Sequence, residues 1–301
     1  MDRRNFLELG LGAGTISGLA ASAPARARPA RRSLAEAVTA DPRTHLFVRD
    51  WGVGPPVLFL AGWTLTSDFW RYQMLALQQR GFRVLAFDRR GHGRSTDPGR
   101  GYDFDTLADD LAAVIEDRVR GKVTLVAHSM ASGEVARYFS RHGGRRVDKV
   151  VLVGPTTPFL MKTADNPQGI ARTAMAASRD RLALDLPGQI DAQIAPFFTP
   201  QTARGTVEWI KRMMLETSMQ AVIELARALQ ETDFRTDVRR INVPTLVVHG
   251  DKDASAPLLM TGKRTAELIG GARLSVVESA PHGLPVTHVE RLNREILAFV
   301  G

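Results

Sequence analysis

Short apolar runs alternate with amphipathic stretches along most of the chain. The runs are rich in valine and leucine and end at polar or glycine-containing turns, which is typical of strands buried on both faces. Between two of these runs, Leu107, Leu111 and Ile115 recur at helical spacing. Strands that alternate with helices favour an α/β fold with a mostly parallel sheet flanked by helices. The predicted strands are 44–48, 57–60, 84–87, 123–127, 147–153, 245–249 and 272–277, and the first two predicted helices are 68–79 and 105–118.

The alternation stops between residues 154 and 240, where helical spacing continues without strands. We predict helices at 169–184, 188–197 and 204–230, which form a helical cap inserted at about 155–240. A cap at this point would cover the carboxyl ends of the strands, where such sheets bind their ligands. Its bulky residues either line a pocket or only pack the cap on the core. The candidates are Phe159, Phe197, Phe198, Trp209 and Met214.

One turn carries a candidate nucleophile. The apolar run 123–127 leads into His128, Ser129 and Met130, and helical spacing resumes at Gly133. A serine on a sharp turn from strand to helix holds its hydroxyl clear of the backbone. Because a serine hydroxyl is a weak nucleophile at neutral pH, a histidine must take its proton and a carboxylate must orient that histidine.

Both partners follow later strands. The run 245–249 is followed by a turn with Asp251 and Asp253, and the run 272–277 is followed by His282. Serine, then acid, then histidine, each past the end of a strand, is the chain order of the α/β-hydrolases.

The turn departs from the usual glycine pattern around such a serine. Ala127 and Ala131 occupy the positions two residues before and after Ser129. The strand and the helix pack closely there and require small side chains, so alanine preserves the motif. The serine motif alone is weak evidence, and the two partners in the right order make it strong.

Longer motifs resemble one branch of this superfamily, and several are specific to that branch. They run in order from about residue 44 onward, at 62–65, 87–95, 101–106, 128–130, 133–138, 158–160, 162–163, 165–167 and 280–284. The chain resembles the cofactor-free haloperoxidases and aryl esterases, also called non-haem chloroperoxidases or perhydrolases. The resemblance implies the α/β-hydrolase fold with a mostly parallel, eight-stranded type of sheet and a helical cap, and it implies neither cofactor nor metal.

The resemblance also assigns roles. It implies that Ser129 is the nucleophile, His282 the base and Asp253 the acid, with Asp251 as the rival acid. The spacing Gly-x-x-Asp from Gly250 to Asp253 matches the family.

The oxyanion hole follows by the same comparison. Its donors would be the backbone N–H groups of Trp63 and Met130. Where the family has His-Gly before the aromatic residue, this chain has Ala61 and Gly62, and Thr64 stands where proline or leucine is usual.

The primary functional hypothesis is a serine esterase that acts on a small-molecule carboxylic ester through an acyl-enzyme. The resemblance adds that hydrogen peroxide can replace water, which forms a peracid that oxidises a halide. One alternative is a catalytically weak protein of this fold that binds a ligand, which Ala61, Ala127 and Ala131 motivate. Another is a lactonase, a C–C hydrolase or a lyase on the same fold.

Length, composition and charge limit the number of domains, the disulfide content and the class of partner. The 301 residues, 44% of them hydrophobic, suit one large domain or two small ones, and we assign a single domain to 44–301. The chain contains no cysteine, so it forms no disulfide. Its net charge is +8, but the arginines are scattered among acids without aromatic interleaving, so we expect no nucleic-acid partner.

The first residues resemble a twin-arginine export signal. Arg3 and Arg4 precede Phe6, a mildly apolar stretch follows, and small residues come at 23–27. We expect residues 1–27 to be the signal for the twin-arginine export machinery and 28–43 to be a linker, with a basic disordered tail as the alternative. The protein would then be periplasmic or secreted.

Other polar residues invite a catalytic interpretation. Asp88, Arg89 and His92 lie close together in a glycine-rich segment, which we expect to be a structural turn after a strand. We expect no proton transfer by His128, and we interpret His249 as a core histidine.

Overall fold

The computed structural model describes residues 36–39 and 41–301. The predicted export signal lies outside the described residues, as does most of the predicted linker. Within the linker range, Glu36–Val38 forms a short strand, β1, antiparallel to the next strand, with Ala37 opposite Leu46. Ala37 is buried, so this segment joins the fold and does not act as a spacer.

The other seven strands form the central sheet. Their spatial order is β2-β4-β3-β5-β6-β7-β8, with β1 at the outer edge of β2. Among the strands of the described residues, the pairs β1–β2 and β2–β4 are antiparallel, and all other neighbouring pairs are parallel. The predicted mostly parallel sheet is confirmed. The strands are β2 His45–Trp51, β3 Pro56–Leu60, β4 Arg83–Phe87, β5 Val123–His128, β6 Val147–Val153, β7 Thr245–Gly250 and β8 Arg273–Val277.

Two apolar layers cover the two faces of the sheet. In β3, Leu58 and Leu60 belong to one layer and Val57 and Phe59 to the other, because successive side chains of a strand point to opposite faces. The first layer includes residues of helices α2 (Phe104–Arg118) and α3 (Ala131–His142), and α9 (Gly262–Leu268) packs against it. The second layer includes residues of α1 (Arg71–Gln78), α10 (Leu284–Thr287) and α11 (Val289–Val300). Burial on both faces explains why the strands appear in the sequence as unbroken apolar runs.

The cap occupies the segment between β6 and β7. It consists of α4 Arg172–Leu184, α5 Leu186–Ile194, a 3₁₀ turn Ala195–Phe197, α6 Arg204–Leu215, α7 Met219–Glu231 and α8 Arg235–Val238. In the part of the chain that the structure describes, no helix is both long and apolar enough to cross a membrane.

The prediction of one helix over 204–230 is wrong, because the chain breaks between α6 and α7. At the break, the Ser218 N–H donates to the Gly91 carbonyl at 2.9 Å, and Thr217 Oγ1 donates to the Thr64 carbonyl at 3.1 Å. These tertiary hydrogen bonds replace the helical ones and tie the cap to the loops below it.

Substitution of Gly133 measures how tightly α3 packs beside the turn that carries Ser129. A Cβ atom there would lie 2.6 Å from the Phe234 ring and 2.8 Å from the Phe104 ring, two rings already in edge contact at 4.6 Å between centroids. We expect Gly133→Ala to lower the free energy of unfolding by about 1–3 kcal/mol through overpacking. The matched control is Gly205→Ala in α6, where no atom lies within 4 Å, and urea denaturation should show a change below about 1 kcal/mol. Equal stabilities of the two variants would contradict the packing described.

Candidate active site

Ser129 lies at the sharp turn between β5 and α3. Its φ of 56° places a non-glycine residue in the left-handed region, which costs on the order of 1–3 kcal/mol. The surrounding hydrogen bonds hold it there. The Ser129 N–H donates to the Val153 carbonyl at 3.0 Å, and the Ser129 carbonyl accepts from Ser132 N at 3.0 Å and Ser132 Oγ at 2.7 Å. The strained backbone directs the hydroxyl away from the sheet.

The structure brings Ser129, His282 and Asp253 together. Ser129 Oγ lies 2.8 Å from His282 Nε2, and His282 Nδ1 lies 2.6 Å from Asp253 Oδ2. Each residue is only 6% exposed, so the chain of hydrogen bonds is shielded from bulk water. With a proton on Nδ1 held by the carboxylate, Nε2 is free to accept the serine proton.

Asp253 and not Asp251 occupies the position behind the histidine. Asp251 lies exposed at the surface, where its carboxylate is 3.8 Å from Lys252 Nζ. Burial by itself raises the pKa of Asp253, but the charge of His282 and the hydrogen bonds from His249, His282 and the Ala256 N–H outweigh it and hold that pKa well below its usual range. Asp253 is therefore ionised at neutral pH.

His249 contacts the same carboxylate, which its interpretation as a core histidine did not predict. It is fully buried, and its Nε2 lies 2.8 Å from the Ala256 carbonyl and 3.3 Å from Asp253 Oδ2. A proton on Nε2 satisfies both acceptors. The interpretation as a core histidine was thus incomplete, and the only available signal was its position four residues before Asp253 on the same strand end.

His128 contacts His282 through the backbone of that residue. Its Nε2 lies 3.0 Å from the His282 carbonyl, and the two rings are 4.7 Å apart between centroids. Burial, followed by the charge of a protonated His282, lowers the pKa of His128 to about 3. His128 is therefore neutral at physiological pH, donates from Nε2, and positions the backbone that carries His282.

The loop after β3 lies directly against the serine turn. A Cβ atom on Gly62 would stand 2.8 Å from His128 Nδ1 and 3.0 Å from Ser129 Cβ, so only glycine fits. In the described part of the chain, neither of the predicted oxyanion donors, Trp63 N–H and Met130 N–H, has a hydrogen-bond acceptor. Both are free to bind a ligand oxygen.

The cap holds this loop from above. Trp63 Nε1 donates to the Val222 carbonyl in α7 at 3.1 Å, which adds to the bond between Thr217 and the Thr64 carbonyl. Thr64 itself has a φ of 63°, and its hydroxyl bonds the Trp63 carbonyl at 2.6 Å. The residue that departs from the family pattern is therefore part of a strained, anchored loop.

A cavity of about 530 Å³ opens onto Ser129 and His282 between the sheet and the cap. Most of its walls are apolar, and no Asp, Glu, Lys or Arg lines it in the described part of the chain. Polar groups come from Thr156, Gln189, Gln193 and Ser255. This size and lining suit a small, uncharged ligand.

Two of the five predicted pocket walls line this cavity, namely Phe197 and Met214. The other three do not. Phe159 packs in a separate cluster with Met175, Trp209 packs edge-on against Tyr72, and Phe198 packs against the core. The spacing of apolar residues along a helix predicts that they are buried, but it does not determine whether they line the cavity or pack against the core.

The segment after β4 is a turn held by side chains. Asp88 accepts from Ser67 N at 2.8 Å and Arg94 N at 3.0 Å, and His92 Nδ1 lies 2.9 Å from the Arg90 carbonyl. Within residues 36–39 and 41–301, no cluster of three or more His, Asp or Glu side chains is arranged to hold a metal ion.

Comparison with known proteins identifies the family. The sequence model of the alpha/beta hydrolase fold matches residues 55–289. The chain is 39% identical to a non-heme haloperoxidase of Rhodococcus erythropolis, over 87% of this chain and 98% of the relative. It is 36% identical, with the same coverage of both chains, to the bifunctional esterase/perhydrolase DCH of Acinetobacter calcoaceticus. The crystal structure of a bromoperoxidase from Bacillus anthracis superposes with a TM-score of 0.85 at 34% identity, covering 88% of this chain and 99% of that one.

The chain therefore belongs to the α/β-hydrolase family. Within it, the chain is a hydrolase of the haloperoxidase and esterase branch. The predicted fold and the resemblance to this branch are confirmed.

The low pKa of His128 makes stability depend on pH. Because the folded pKa of about 3 lies below the unfolded value of about 6.5, the unfolded chain binds an extra proton between them, and stability falls as pH falls. We expect His128→Gln, which keeps a donor for the His282 carbonyl, to reduce the slope of unfolding free energy between about pH 6 and 4 by about 1.4 kcal/mol per pH unit.

The pKa of His92 is also lowered to about 3 by burial, so His92→Asn should reduce that slope by a similar amount. Urea denaturation at several pH values measures both slopes. Slopes identical to that of the wild type would show that these imidazoles are not held neutral.

Proposed function

We propose that this protein is a serine esterase that hydrolyses small, uncharged carboxylic esters through an acyl-enzyme on Ser129. The observation that carries the proposal is the hydrogen-bond chain from Ser129 Oγ through His282 to Asp253, at 2.8 Å and 2.6 Å. Ser129 and His282 lie at a cavity that no Asp, Glu, Lys or Arg lines in the described part of the chain. The printed names of relatives, esterase and perhydrolase among them, support the same class.

The arrangement performs acyl transfer in two halves. As Ser129 Oγ bonds to the ester carbonyl carbon, His282 Nε2 takes the hydroxyl proton, and the carbonyl oxygen becomes an oxyanion. His282 then returns the proton to the leaving alcohol as the C–O bond breaks. Water repeats the sequence on the acyl-enzyme, which releases the acid and restores Ser129.

The N–H groups of Trp63 and Met130 supply the oxyanion hole in this proposal. Both are free of other acceptors in the described structure, and each such donor lowers the barrier by about 3–4 kcal/mol in comparable enzymes. Asp253 remains a carboxylate throughout and stabilises the imidazolium that forms when His282 accepts the proton.

Hydrogen peroxide can take the place of water in the second half. The peroxide oxygen bonds to the acyl carbon as its proton passes to His282 Nε2. His282 then returns the proton to Ser129 Oγ as the bond between that oxygen and the acyl carbon breaks, which releases a peracid and restores Ser129. The peracid then oxidises a halide in solution to the hypohalite and is itself reduced to the carboxylic acid. The relatives named as haloperoxidase and as esterase/perhydrolase support this second activity of the same site.

Removal of single triad members tests the esterase. We expect Ser129→Ala to lower kcat for p-nitrophenyl acetate by at least about 10³-fold, and Asp253→Asn by about 10³–10⁴-fold because the imidazole loses the correct tautomer. The matched control is Asp251→Asn, two residues away and exposed, which should leave kcat within about twofold. Equal slow rates for the wild type and Ser129→Ala would instead support a ligand-binding protein without catalysis.

Peroxide-dependent bromination tests the second activity. With acetate ester, hydrogen peroxide and bromide present together, the wild type should brominate monochlorodimedone, because the peracid oxidises bromide. Omission of the ester, or the Ser129→Ala substitution, should reduce the rate to the uncatalysed background. Bromination by Ser129→Ala at the wild-type rate would rule out the acyl-enzyme route to the peracid.

A further inference from the structure

Arg89 connects the buried turn after β4 to the loop that carries the oxyanion donor Trp63. Its side chain is 3% exposed and lies beneath that loop. Nη2 donates to the Ala61 carbonyl at 2.7 Å, and Nη1 donates to the Gly62 carbonyl at 3.3 Å. One guanidinium therefore holds two consecutive carbonyls.

These contacts orient the Trp63 N–H. The Gly62 carbonyl and the Trp63 N–H belong to one peptide unit, and in a planar trans peptide the two groups point in opposite directions. Arg89 and the Leu65 N–H, at 3.2 Å, hold the carbonyl on one side of the loop. The N–H is thereby turned to the other side, where the chain that the structure describes offers it no acceptor.

The same guanidinium also reaches the serine turn. Arg89 Nε donates to Glu134 Oε1 at 2.7 Å, and Nη2 donates to the same oxygen. Glu134 is 1% exposed and lies in the first turn of α3, the helix that follows Ser129 and Met130. Arg89 thus links the two segments that supply the two donors.

We propose that Arg89 is a positioning residue that sets the oxyanion hole, by fixing the Gly62–Trp63 peptide plane and its distance from the helix after Ser129. The inference rests on the proposed esterase function. Without the guanidinium, the peptide plane can rotate and withdraw the Trp63 N–H from the developing oxyanion. A defect of this kind weakens both halves of the reaction, because each passes through an oxyanion.

The next residue offers a matched control. Arg90 is 4% exposed and pairs with Asp110 in α2, with Nε and Nη2 donating to the two carboxylate oxygens at 2.6 Å and 2.7 Å. Its remaining contact, at 3.3 Å, is with the Arg100 carbonyl, away from the oxyanion loop. The two pairs are equally buried and differ in what the arginine holds.

The experiment replaces each pair by apolar residues, which preserves stability better than leaving one charge unpaired. Arg89→Met with Glu134→Leu is compared with Arg90→Met with Asp110→Leu on p-nitrophenyl acetate, with rates expressed per folded molecule from circular dichroism. We expect the first variant to lose about 10²-fold in kcat with KM within about threefold, and the second to keep kcat within about threefold. The pH midpoint of kcat/KM should be the same in both, since His282 and Asp253 are untouched.

The single variant Arg89→Lys provides a second test in case the Arg89 double variant does not fold. It keeps a positive charge opposite Glu134 and lacks the planar fork that spans the two carbonyls, so its kcat should also fall by at least about tenfold with little change in KM. Equal kcat values for the Arg89 and Arg90 double variants would overturn the inference, and so would a wild-type kcat for Arg89→Lys. The esterase function would still stand in either case if the activity of the wild type depends on Ser129. Absence of such activity in the wild type would overturn both.

Discussion

The left-handed backbone at Ser129 is the constraint on which the site depends. A non-glycine residue adopts a φ of 56° at the end of a buried strand only because the Val153 carbonyl and Ser132 hold its peptide groups. That conformation directs the hydroxyl out of the sheet toward His282. Ala127 and Ala131 are both fully buried beside this turn, so the turn forms without glycine at these two positions.

A ring of buried polar groups maintains the geometry around this turn. His249 and the Ala256 N–H hold Asp253, and His128 holds the carbonyl of His282. Arg89 holds the loop after β3 through the Ala61 and Gly62 carbonyls. Each of these groups is costly to bury and is hydrogen-bonded to a partner that the proposed chemistry uses. Burial lowers the pKa of His128, and hydrogen bonds together with the charge of His282 lower the pKa of Asp253, so His128 is neutral and Asp253 is ionised at physiological pH.

Much of this site could be predicted from the sequence, because its main residues follow strands whose carboxyl ends meet at one edge of the sheet. The order of Ser129, Asp253 and His282 places them there without any knowledge of side-chain contacts. His249 lies only four residues before Asp253, but no sequence pattern shows that the intervening turn brings its ring to the carboxylate. Arg89 could not be assigned either, because the Ala61 and Gly62 carbonyls that it contacts are far away in the chain. The break between α6 and α7 was missed for the same reason: Ser218 and Thr217 bond to loops far away in the chain, and those bonds override local helix propensity.

Covalent labelling with phenylmethylsulfonyl fluoride tests the central claim, that Ser129 is an activated nucleophile held next to His282, most directly. We expect one sulfonyl group per chain by intact mass, located by peptide mapping in residues 123–137 on Ser129, with esterase activity lost in proportion to the label. Labelling at another serine, or no stoichiometric label while ester hydrolysis persists, would contradict the assignment of Ser129 as the nucleophile.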